Sequence, residues 1–297
     1  MNSQPLVTLA LFAYNQEAYI REAVRSALAQ SYSPLQIVFS DDSSTDATFS
    51  IIKEEVSGYN GPHRILLNCN TKNLGIGGHV NRIMELAEGE LIVAAAGDDI
   101  SLPERVSQLV EAWKSSGFQA DSLHSAVIRM TPEGKPCDRF SLKGCRRTSP
   151  HDILKRSVIL GASHAWTKRV FDKFGKLNSN VVSEDRVIGF RSSLCGGIQY
   201  IDVPLVMHRL GGISSTGFKT LEINIQDELK ASHLDILHLM QNYNDYMCCS
   251  SIQPAILRTI KKELSKKISR QVGIVAKING EKFVWLRNFF SAVNRWR

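Results

Sequence analysis

The feature that most constrains the fold is a regular alternation of short apolar runs with helix-periodic segments over the first third of the chain. The pattern predicts strands at residues 6–13, 35–40, 64–69 and 90–96, and helices at 17–30, 45–56, 78–87 and 103–116. Strands that alternate with helices form a mainly parallel sheet covered on both faces. We therefore predict an α/β fold whose sheet is flanked by helices.

The alternation is lost after Gly117. Strands are predicted at 120–130 and 197–207, with a hairpin turn at 131–134 and a helix from Ser183 to about Leu194. Beyond about residue 218 the sequence has helical periodicity. We predict one catalytic domain over 1–217, with halves of about 1–116 and 117–217, and a C-terminal helical region over 218–297.

Composition excludes several classes of protein. Apolar residues make up 43% of the chain and charged residues 22%, as in ordinary globular proteins. No apolar run approaches the ~18 residues of a membrane span, and the first residues lack the basic start of a signal peptide. The six cysteines include no C-x-x-C pair, which argues against a zinc site. A cytoplasmic location is expected.

The positive charge is concentrated at the end of the chain. Residues 254–297 hold eleven lysines or arginines against two glutamates, a net charge of +9, so the first 253 residues carry −2 of the total of +7. Two interpretations of this tail remain open. Its apolar stripe packs on the catalytic domain with a solvated basic face, or its basic and aromatic residues contact an anionic membrane surface. No nucleic-acid partner is predicted. The stripe comprises Ile256, Ile260, Leu264 and Ile268.

Polar side chains follow all four predicted parallel strands. Because ligands bind beyond the carboxyl ends of such strands, these loops hold the candidate site residues. The candidates are Ala13, Tyr14, Asn15 and Glu17 after the first strand, Asp41 and Asp42 after the second, Asn73 and Gly75 after the third, and Asp98 and Asp99 after the fourth.

Each acidic pair has two possible roles. Asp98 and Asp99 either bind a divalent cation, which prefers oxygen ligands, or cap the next helix together with Ser101. Asp41 and Asp42 either accept hydrogen bonds from a ribose or base, or begin a polar loop that caps the next helix through Ser43, Ser44, Thr45 and Asp46. Two acidic strand ends in neighbouring units favour a ligand site over capping.

Two further segments carry candidate chemistry. At the start of a predicted helix, Glu184 and Asp185 either cap it or supply a general base. The turn that begins with His208 and Arg209 either closes over a diphosphate or is a basic surface turn. Motifs for a P-loop, a dinucleotide site and a serine hydrolase are missing.

Four motifs, in order and spacing, resemble the inverting glycosyltransferases of family 2, which have the GT-A fold. The resemblance covers about residues 5–215 and implies a Rossmann-like GT-A domain with a C-terminal helical extension. The motifs are LVTLALFAYNQEAYIREAVRSALAQSYSPLQIVFSDDSSTDAT, NLGIGGHVNRIMELAEGELIVAAAGDD, SED at 183–185 and HRLGGIS at 208–214.

The resemblance also implies roles for the candidate residues. The first three loops would border the nucleotide, with an acid of Asp41-Asp42 on the base or ribose. The Asp98-Asp99 pair stands in the place of the D-x-D motif, although here it reads G-D-D. Asp99 would bind the metal, with His208 as a second candidate ligand, and Asp98 would face the sugar or ribose. The base would be Asp185, with Glu184 as its nearest rival, and Arg209 would lie near the diphosphate.

The predicted function is therefore inverting transfer of one sugar from a nucleoside-diphosphate sugar, UDP- or dTDP-linked, with Mn²⁺ or Mg²⁺ as cofactor. The acceptor would be a hydroxyl of a saccharide or lipid-linked molecule in bacterial surface polysaccharide assembly, such as lipopolysaccharide. The expected location is the cytoplasm, with peripheral contact at the cytoplasmic face of the inner membrane under the membrane interpretation of the basic tail. The alternatives are a sugar-phosphate nucleotidyltransferase and a non-catalytic nucleotide-sugar binder.

Overall fold

A computed structural model describes residues 4–142, 149–155, 159–211, 225–249 and 252–279. The first third follows the predicted alternation, and element ends differ from the prediction by at most three residues. Only the two-residue strand β5 is not predicted. The elements are β1 (Val7–Ala13), α1 (Ile20–Leu28), β2 (Leu35–Asp41), α2 (Thr48–Ser57), β3 (Arg64–Cys69), α3 (Gly75–Leu86), β4 (Leu91–Ala96), β5 (Ile100–Ser101) and α4 (Arg105–Ser115).

The second part contains shorter elements. The predicted turn joins β6 to β7, with the Gly134 N–H donating to the Thr131 carbonyl at 2.9 Å. The predicted boundary at 217, the motif residues 212–214 and the tail residues 280–297 lie outside the described residues. The elements are β6 (Ser122–Met130), β7 (Pro136–Phe140), α5 (Pro150–Lys155), a 3₁₀ turn (Gly161–Ser163), β8 (Ala165–Thr167), α6 (Arg169–Phe174), α7 (Glu184–Ser193), β9 (Ile198–Arg209), α8 (Ile225–Met247) and α9 (Pro254–Asn279).

The described strands form one mixed sheet of nine, in the order β3-β2-β1-β4-β8-β6-β9-β5, with β7 on β6. The expected parallel pairing holds for β1 to β4. Beyond them, β8 runs antiparallel to both β4 and β6, so the sheet as a whole is mixed. The carboxyl ends of β1 to β4 therefore share one edge. Because β5 pairs with the end of β9, with Ile100 opposite Met207, residues after β4 and at the end of β9 are neighbours.

The two C-terminal helices pack on the α/β part. Ile256 is 8% and Ile260 0% exposed, and both join Phe190 of α7 and Tyr246 of α8 in one apolar cluster. Leu264 packs at its margin. The packing interpretation of the apolar stripe is thus confirmed for Ile256, Ile260 and Leu264, and membrane contact stays a prediction. In the described ranges, no helix is long and apolar enough to cross a bilayer.

Candidate active site

The loops after β1 and β2 are tied to each other. The Asn15 backbone, in the left-handed region at φ 49°, donates to the Ser44 hydroxyl at 2.9 Å, and its side-chain oxygen accepts from the Thr45 N–H at 2.8 Å. The Glu17 carboxylate accepts from the Ala47 N–H at 2.9 Å. Asn15 and Glu17 therefore shape this rim through protein contacts. Of the other two candidates in the first loop, Ala13 is buried and Tyr14 is 36% exposed.

Asp41 and Asp42 are both at most 3% exposed and bind loop groups. Asp41 accepts from the backbone N–H and the hydroxyl of Ser44, at 2.8 and 2.5 Å. Asp42 accepts from the Asn70 side chain at 2.7 Å and from the Leu74 N–H at 2.9 Å, which links the second loop to the third. The N-cap residue of α2 is Ala47, which makes no side-chain capping bond. Asp46, one of the residues predicted to cap this helix, accepts from its first N–H, that of Thr48, at 2.9 Å. The ligand role of Asp41 and Asp42 stays a prediction.

The third loop turns sharply into α3. The Asn73 side chain accepts from the Gly75 N–H at 2.9 Å, and Gly75 has φ of 67°, a conformation that favours glycine. Gly77 lies against the backbone of residues 178–181, where an added Cβ would be 2.7 Å from the Asn178 carbonyl oxygen and 2.9 Å from that of Val181. This contact joins the third loop to the segment that precedes Glu184.

Replacing Gly77 by alanine should destabilise the fold and reduce activity. The new methyl group would overlap backbone atoms that cannot rotate away, and such overpacking costs about 1–3 kcal/mol of unfolding free energy. Chemical denaturation with a parallel rate measurement checks this. Gly58→Ala is the matched control, because a Cβ there meets no atom within 4 Å. Equal stability of the two variants would contradict the prediction.

Asp99 is held where β4, β5 and β9 meet. One carboxylate oxygen accepts from the Arg209 N–H at 2.8 Å, and the two oxygens lie 3.1 and 3.2 Å from Nδ1 of His208. Asp98 is half-buried; burial, together with the adjacent charge of Asp99, raises its pKa to about 6. The N-cap residue of α4 is Glu104, so the prediction that Asp98 and Asp99 cap this helix is wrong. Ser101 lies in β5 and accepts from the Arg105 guanidinium at 2.9 Å.

This corner has donor groups suited to a divalent cation. The two carboxylates supply the oxygen ligands that Mn²⁺ and Mg²⁺ prefer, and the His208 imidazole supplies a nitrogen, a ligand less typical of these ions. Mg²⁺ uses only one or two protein carboxylates when substrate phosphates complete its shell. The hydrogen bond with Asp99 raises the pKa of His208. Over the described ranges, no group of three or more His, Cys, Asp or Glu side chains is arranged to hold a metal.

Arg209 is buried, with 3% of its side chain exposed. Its guanidinium donates to the Asp98 carbonyl at 2.9 Å, the Pro132 carbonyl at 2.6 Å and the Glu22 carboxylate at 2.7 Å, and it lies 4.5 Å from the centre of the Tyr19 ring. Arg209 thus binds the loop that carries Asp98 and fixes it to Pro132 and Glu22. The predicted contact with the donor diphosphate stays untested.

Glu184 and Asp185 form the first turn of α7. The preceding Ser183 makes no side-chain capping bond, and the Asp185 carboxylate accepts from the Arg186 N–H at 2.8 Å. Burial raises the pKa of both carboxyl groups, that of Glu184 to about 8 with the charge of Asp185 contributing. A helix N-terminus favours the ionised form of an acid, but burial is the larger influence on both carboxyl groups here. A carboxylate with a raised pKa is a stronger base, as general-base catalysis requires.

One turn connects the two acidic pairs. The 3₁₀ turn at Gly161–Ser163 lies beside Asp185, since a Cβ on Gly161 would be 3.5 Å from its carboxylate. The same turn is joined to β4 by the fully buried guanidinium of Arg105, which donates to the carbonyls of Ala94 at 2.6 Å and Ala162 at 3.2 Å. Sequence reasoning missed Arg105 and Gly161. An arginine in an amphipathic helix gives no signal of burial, and the residue that Gly161 touches is distant in sequence.

A cavity of about 460 Å³ lies beside the third loop. It is bounded by the third loop, by the segment that precedes Glu184 and by α8. Asn73 and Gly75, which are predicted to border the nucleotide, therefore line the same cavity as residues 179–182, which lead to Glu184 and Asp185. The lining residues are Asn73, Leu74, Gly75, Ile76, Ser179, Asn180, Val181, Val182, His233, Leu234 and Leu237.

The fold is that of GT-A glycosyltransferases. TarS 1–349 of S. aureus, in complex with UDP-GlcNAc, aligns with a TM-score of 0.62 at 16% identity over 90% of this chain and 72% of its own. The mannosyltransferase PcManGT of Pyrobaculum calidifontis, in complex with GDP-Man and Mn²⁺, aligns with a TM-score of 0.60 at 14% identity over 99% and 81%. At these identities the likeness is one of fold.

The sequence matches give the family. The model of glycosyl transferase family 2 matches residues 8–164, more than half of the chain, and the chain belongs to this family. It is 36% identical over 110 residues to EpsE of Bacillus subtilis, covering 37% of this chain and 39% of EpsE. It is 26% identical over 205 residues to the succinoglycan biosynthesis protein ExoO of Rhizobium meliloti, covering 65% and 57%. The chain thus spans about two to three fifths of these relatives.

Proposed function

We propose that this family 2 glycosyltransferase transfers a single sugar, with inversion, from a nucleoside-diphosphate sugar to an acceptor hydroxyl. The observation that carries the proposal is the arrangement of the two acidic pairs. Asp98 and Asp99 follow β4, Glu184 and Asp185 begin α7, and the turn at 161–163 contacts both β4 and Asp185. The Asp98-Asp99 pair would act at the departing diphosphate, and the Glu184-Asp185 pair would act at the attacking hydroxyl.

The donor would bind across the first three loops. Asp41 and Asp42 order these loops, and one of them would accept from a ribose or base, while Tyr14 offers an exposed ring beside them. A UDP- or dTDP-sugar is the donor that we propose. TarS with UDP-GlcNAc and PcManGT with GDP-Man support a nucleotide-sugar donor in this fold. Arg209 would act by holding the Asp98 loop in place.

Asp99 and His208 would hold Mn²⁺ or Mg²⁺. When bound, such an ion supplies electrostatic stabilisation of the charge on the leaving diphosphate. The PcManGT complex with Mn²⁺ supports this assignment. Asp98, beside the ion, would accept a hydrogen bond from the donor sugar or ribose.

Asp185 would act as the general base. It would take the proton from the acceptor hydroxyl as the hydroxyl oxygen attacks C1 of the sugar from the face opposite the diphosphate. The C1–O bond to the diphosphate breaks as the new C1–O bond forms, so the anomeric centre inverts without a covalent enzyme intermediate. For the acceptor, we propose a saccharide or lipid-linked molecule of bacterial surface polysaccharide, a proposal that the ExoO similarity supports.

Incubating the purified protein with a panel of nucleotide sugars and candidate acceptors tests the function. We expect a glycosylated product with release of a nucleoside diphosphate, and NMR of the product should show inverted anomeric configuration. Retention of configuration would overturn the inverting mechanism. Release of pyrophosphate from a sugar phosphate and a nucleotide would indicate a nucleotidyltransferase, and nucleotide-sugar binding without turnover would indicate a binding protein.

We also propose that α9 contacts an anionic membrane at the cytoplasmic face. Arg258, Lys261 and Lys262 are exposed, lie on one helix face at spacings of three and four, and have no ion pair within the described residues. Neutralising all three with glutamine should lower partition to anionic liposomes roughly 100-fold, at about 1 kcal/mol per basic residue. Sedimentation measures this. Glutamine at the exposed Lys53, Lys135 and Lys230 is the matched control, and equal losses would leave α9 as a packing element only.

A further inference from the structure

The segment of residues 175–182, which leads into Glu184 and Asp185, is held on one side by α3. The Asn81 side chain bonds Leu177 in both directions, donating to its carbonyl and accepting from its N–H, each at 2.8 Å. Gly77 lies against the carbonyl of Asn178. The segment is thus fixed to the helix that follows the third loop.

On the other side the same segment is held by α8. The Gln241 side-chain oxygen accepts from the Asn178 N–H at 2.9 Å, and its amide nitrogen donates to the Asp245 carboxylate at 2.9 Å. Gln241 therefore joins the backbone of residues 175–182 to Asp245, which lies one helical turn farther along α8.

Asp245 in turn binds α7. Nε and a terminal nitrogen of Arg191 donate to its two oxygens at 2.8 and 3.0 Å, and the two side chains are only 0% and 4% exposed. The remaining donors of Arg191 bind the carbonyls of Gly175 at 2.7 Å and Lys176 at 3.3 Å. A buried ion pair thus connects α8, α7 and the start of the segment.

We propose that Gln241 and Asp245 of α8 are positioning residues for the Glu184-Asp185 pair, so that the C-terminal region is a working part of the active site. This inference rests on the proposed function, in which Asp185 is the base. Neither residue touches the reacting atoms. They fix the segment before α7, and α7 itself, relative to α3 and its loop. A displacement of about 1 Å at a reacting group costs up to roughly 100-fold in rate.

Gln241→Ala is the principal test, because it removes two hydrogen bonds without leaving a buried charge unpaired. We expect kcat to fall roughly 10- to 100-fold with the donor KM unchanged, since the donor loops keep their own contacts. The acid limb of the pH profile should also move to lower pH, because a displaced segment exposes the two carboxyl groups to water. The charged groups near this end of α7 are Arg186 and Asp235, with Lys267 behind them, and the titratable His238 is also there, its pKa lowered to about 4 by burial.

Asn244→Ala is the matched control, an exposed position on the same helix that should retain the wild-type kcat. Asp245→Asn is a second variant that keeps the shape of the side chain, and it should show the same change in kcat and pH profile in the fraction that folds. A Gln241→Ala enzyme with the kcat and pH profile of Asn244→Ala would overturn the inference. The inference would also be overturned if the lower kcat of Gln241→Ala came wholly from a smaller folded fraction, measured as the fraction of molecules that binds nucleotide.

Asp185→Asn separates this inference from the proposed function. If Asp185→Asn transfers sugar at the wild-type rate, the base assignment fails and the inference fails with it. If Asp185→Asn is inactive while Gln241→Ala behaves like Asn244→Ala, only the positioning role fails.

Discussion

Asp185→Asn should reduce the kcat of sugar transfer by roughly 10² to 10⁴-fold, the usual contribution of a general base. The amide keeps the shape of the side chain and its place beside Gly161, but it cannot take a proton. Donor binding should be unchanged, because the side-chain bond of Asp185 in the described structure goes to the Arg186 N–H and not to the three loops proposed to bind the donor. Steady-state kinetics, with calorimetry of nucleotide binding, measures both quantities.

The pH dependence of the wild-type enzyme follows from the same burial. Because burial raises the pKa of Asp185, the base is ionised only at higher pH, and kcat should rise with pH through a midpoint well above that of an ordinary aspartate. Below the midpoint the protonated acid cannot act, so activity is lost as pH falls. Glu184→Gln is the neighbouring control. It removes the second carboxyl group and should retain most of the activity with the midpoint still raised, since burial is the main cause of the raised pKa of Asp185.

Two outcomes would count against this assignment. An inactive Glu184→Gln with an active Asp185→Asn would transfer the role of base to Glu184. Full activity in both variants would mean that no carboxyl group of α7 takes the proton, and the proposed single displacement would lose its acid–base step.

Asp99→Asn should lower kcat/KM roughly 100-fold or more, because a metal ion on the diphosphate contributes several kcal/mol of transition-state stabilisation. An amide still accepts from the Arg209 N–H, so the loop keeps one of its bonds, while the negative charge that favours a cation is lost. In calorimetry, the variant should bind UDP with the same weak affinity in the presence and absence of Mn²⁺.

Asp98→Asn is the companion variant on the adjacent residue. Its side chain is expected to face the sugar or ribose, so it should weaken donor binding but retain the enhancement by Mn²⁺. If Asp99→Asn keeps that enhancement and Asp98→Asn loses it, the ion belongs to Asp98. If both keep it, the cation site lies elsewhere.

Much of the α/β half can be predicted from periodicity because its elements are long and their burial is uniform. All seven residues of β2 are buried, and its apolar residues Leu35, Ile37, Val38 and Phe39 predict a buried strand. The acids at strand ends could be predicted for a related reason, since a charged residue directly after a buried strand must lie at the sheet edge.

The short elements could not be predicted, because tertiary pairing defines them. The strands β5 and β8 have only two and three residues, and they exist because β9, β4 and β6 lie beside them. The role of Arg209 was hidden for the same reason. Its partners are the carbonyls of Asp98 and Pro132 and the carboxylate of Glu22, and no local pattern signals carbonyl groups supplied by distant loops.

Arg105 has a consequence for engineering this enzyme. It belongs to the half that the first four strands build, yet its guanidinium, 1% exposed, binds the carbonyl of Ala162 in the other half. A chimaera that joins residues 1–116 to the second half of another family member would need a carbonyl at that position. Without it, the buried guanidinium would keep only its bonds to Ser101 and Ala94 within the first half. Exchange of acceptor specificity is therefore better attempted by altering individual loops than by swapping halves.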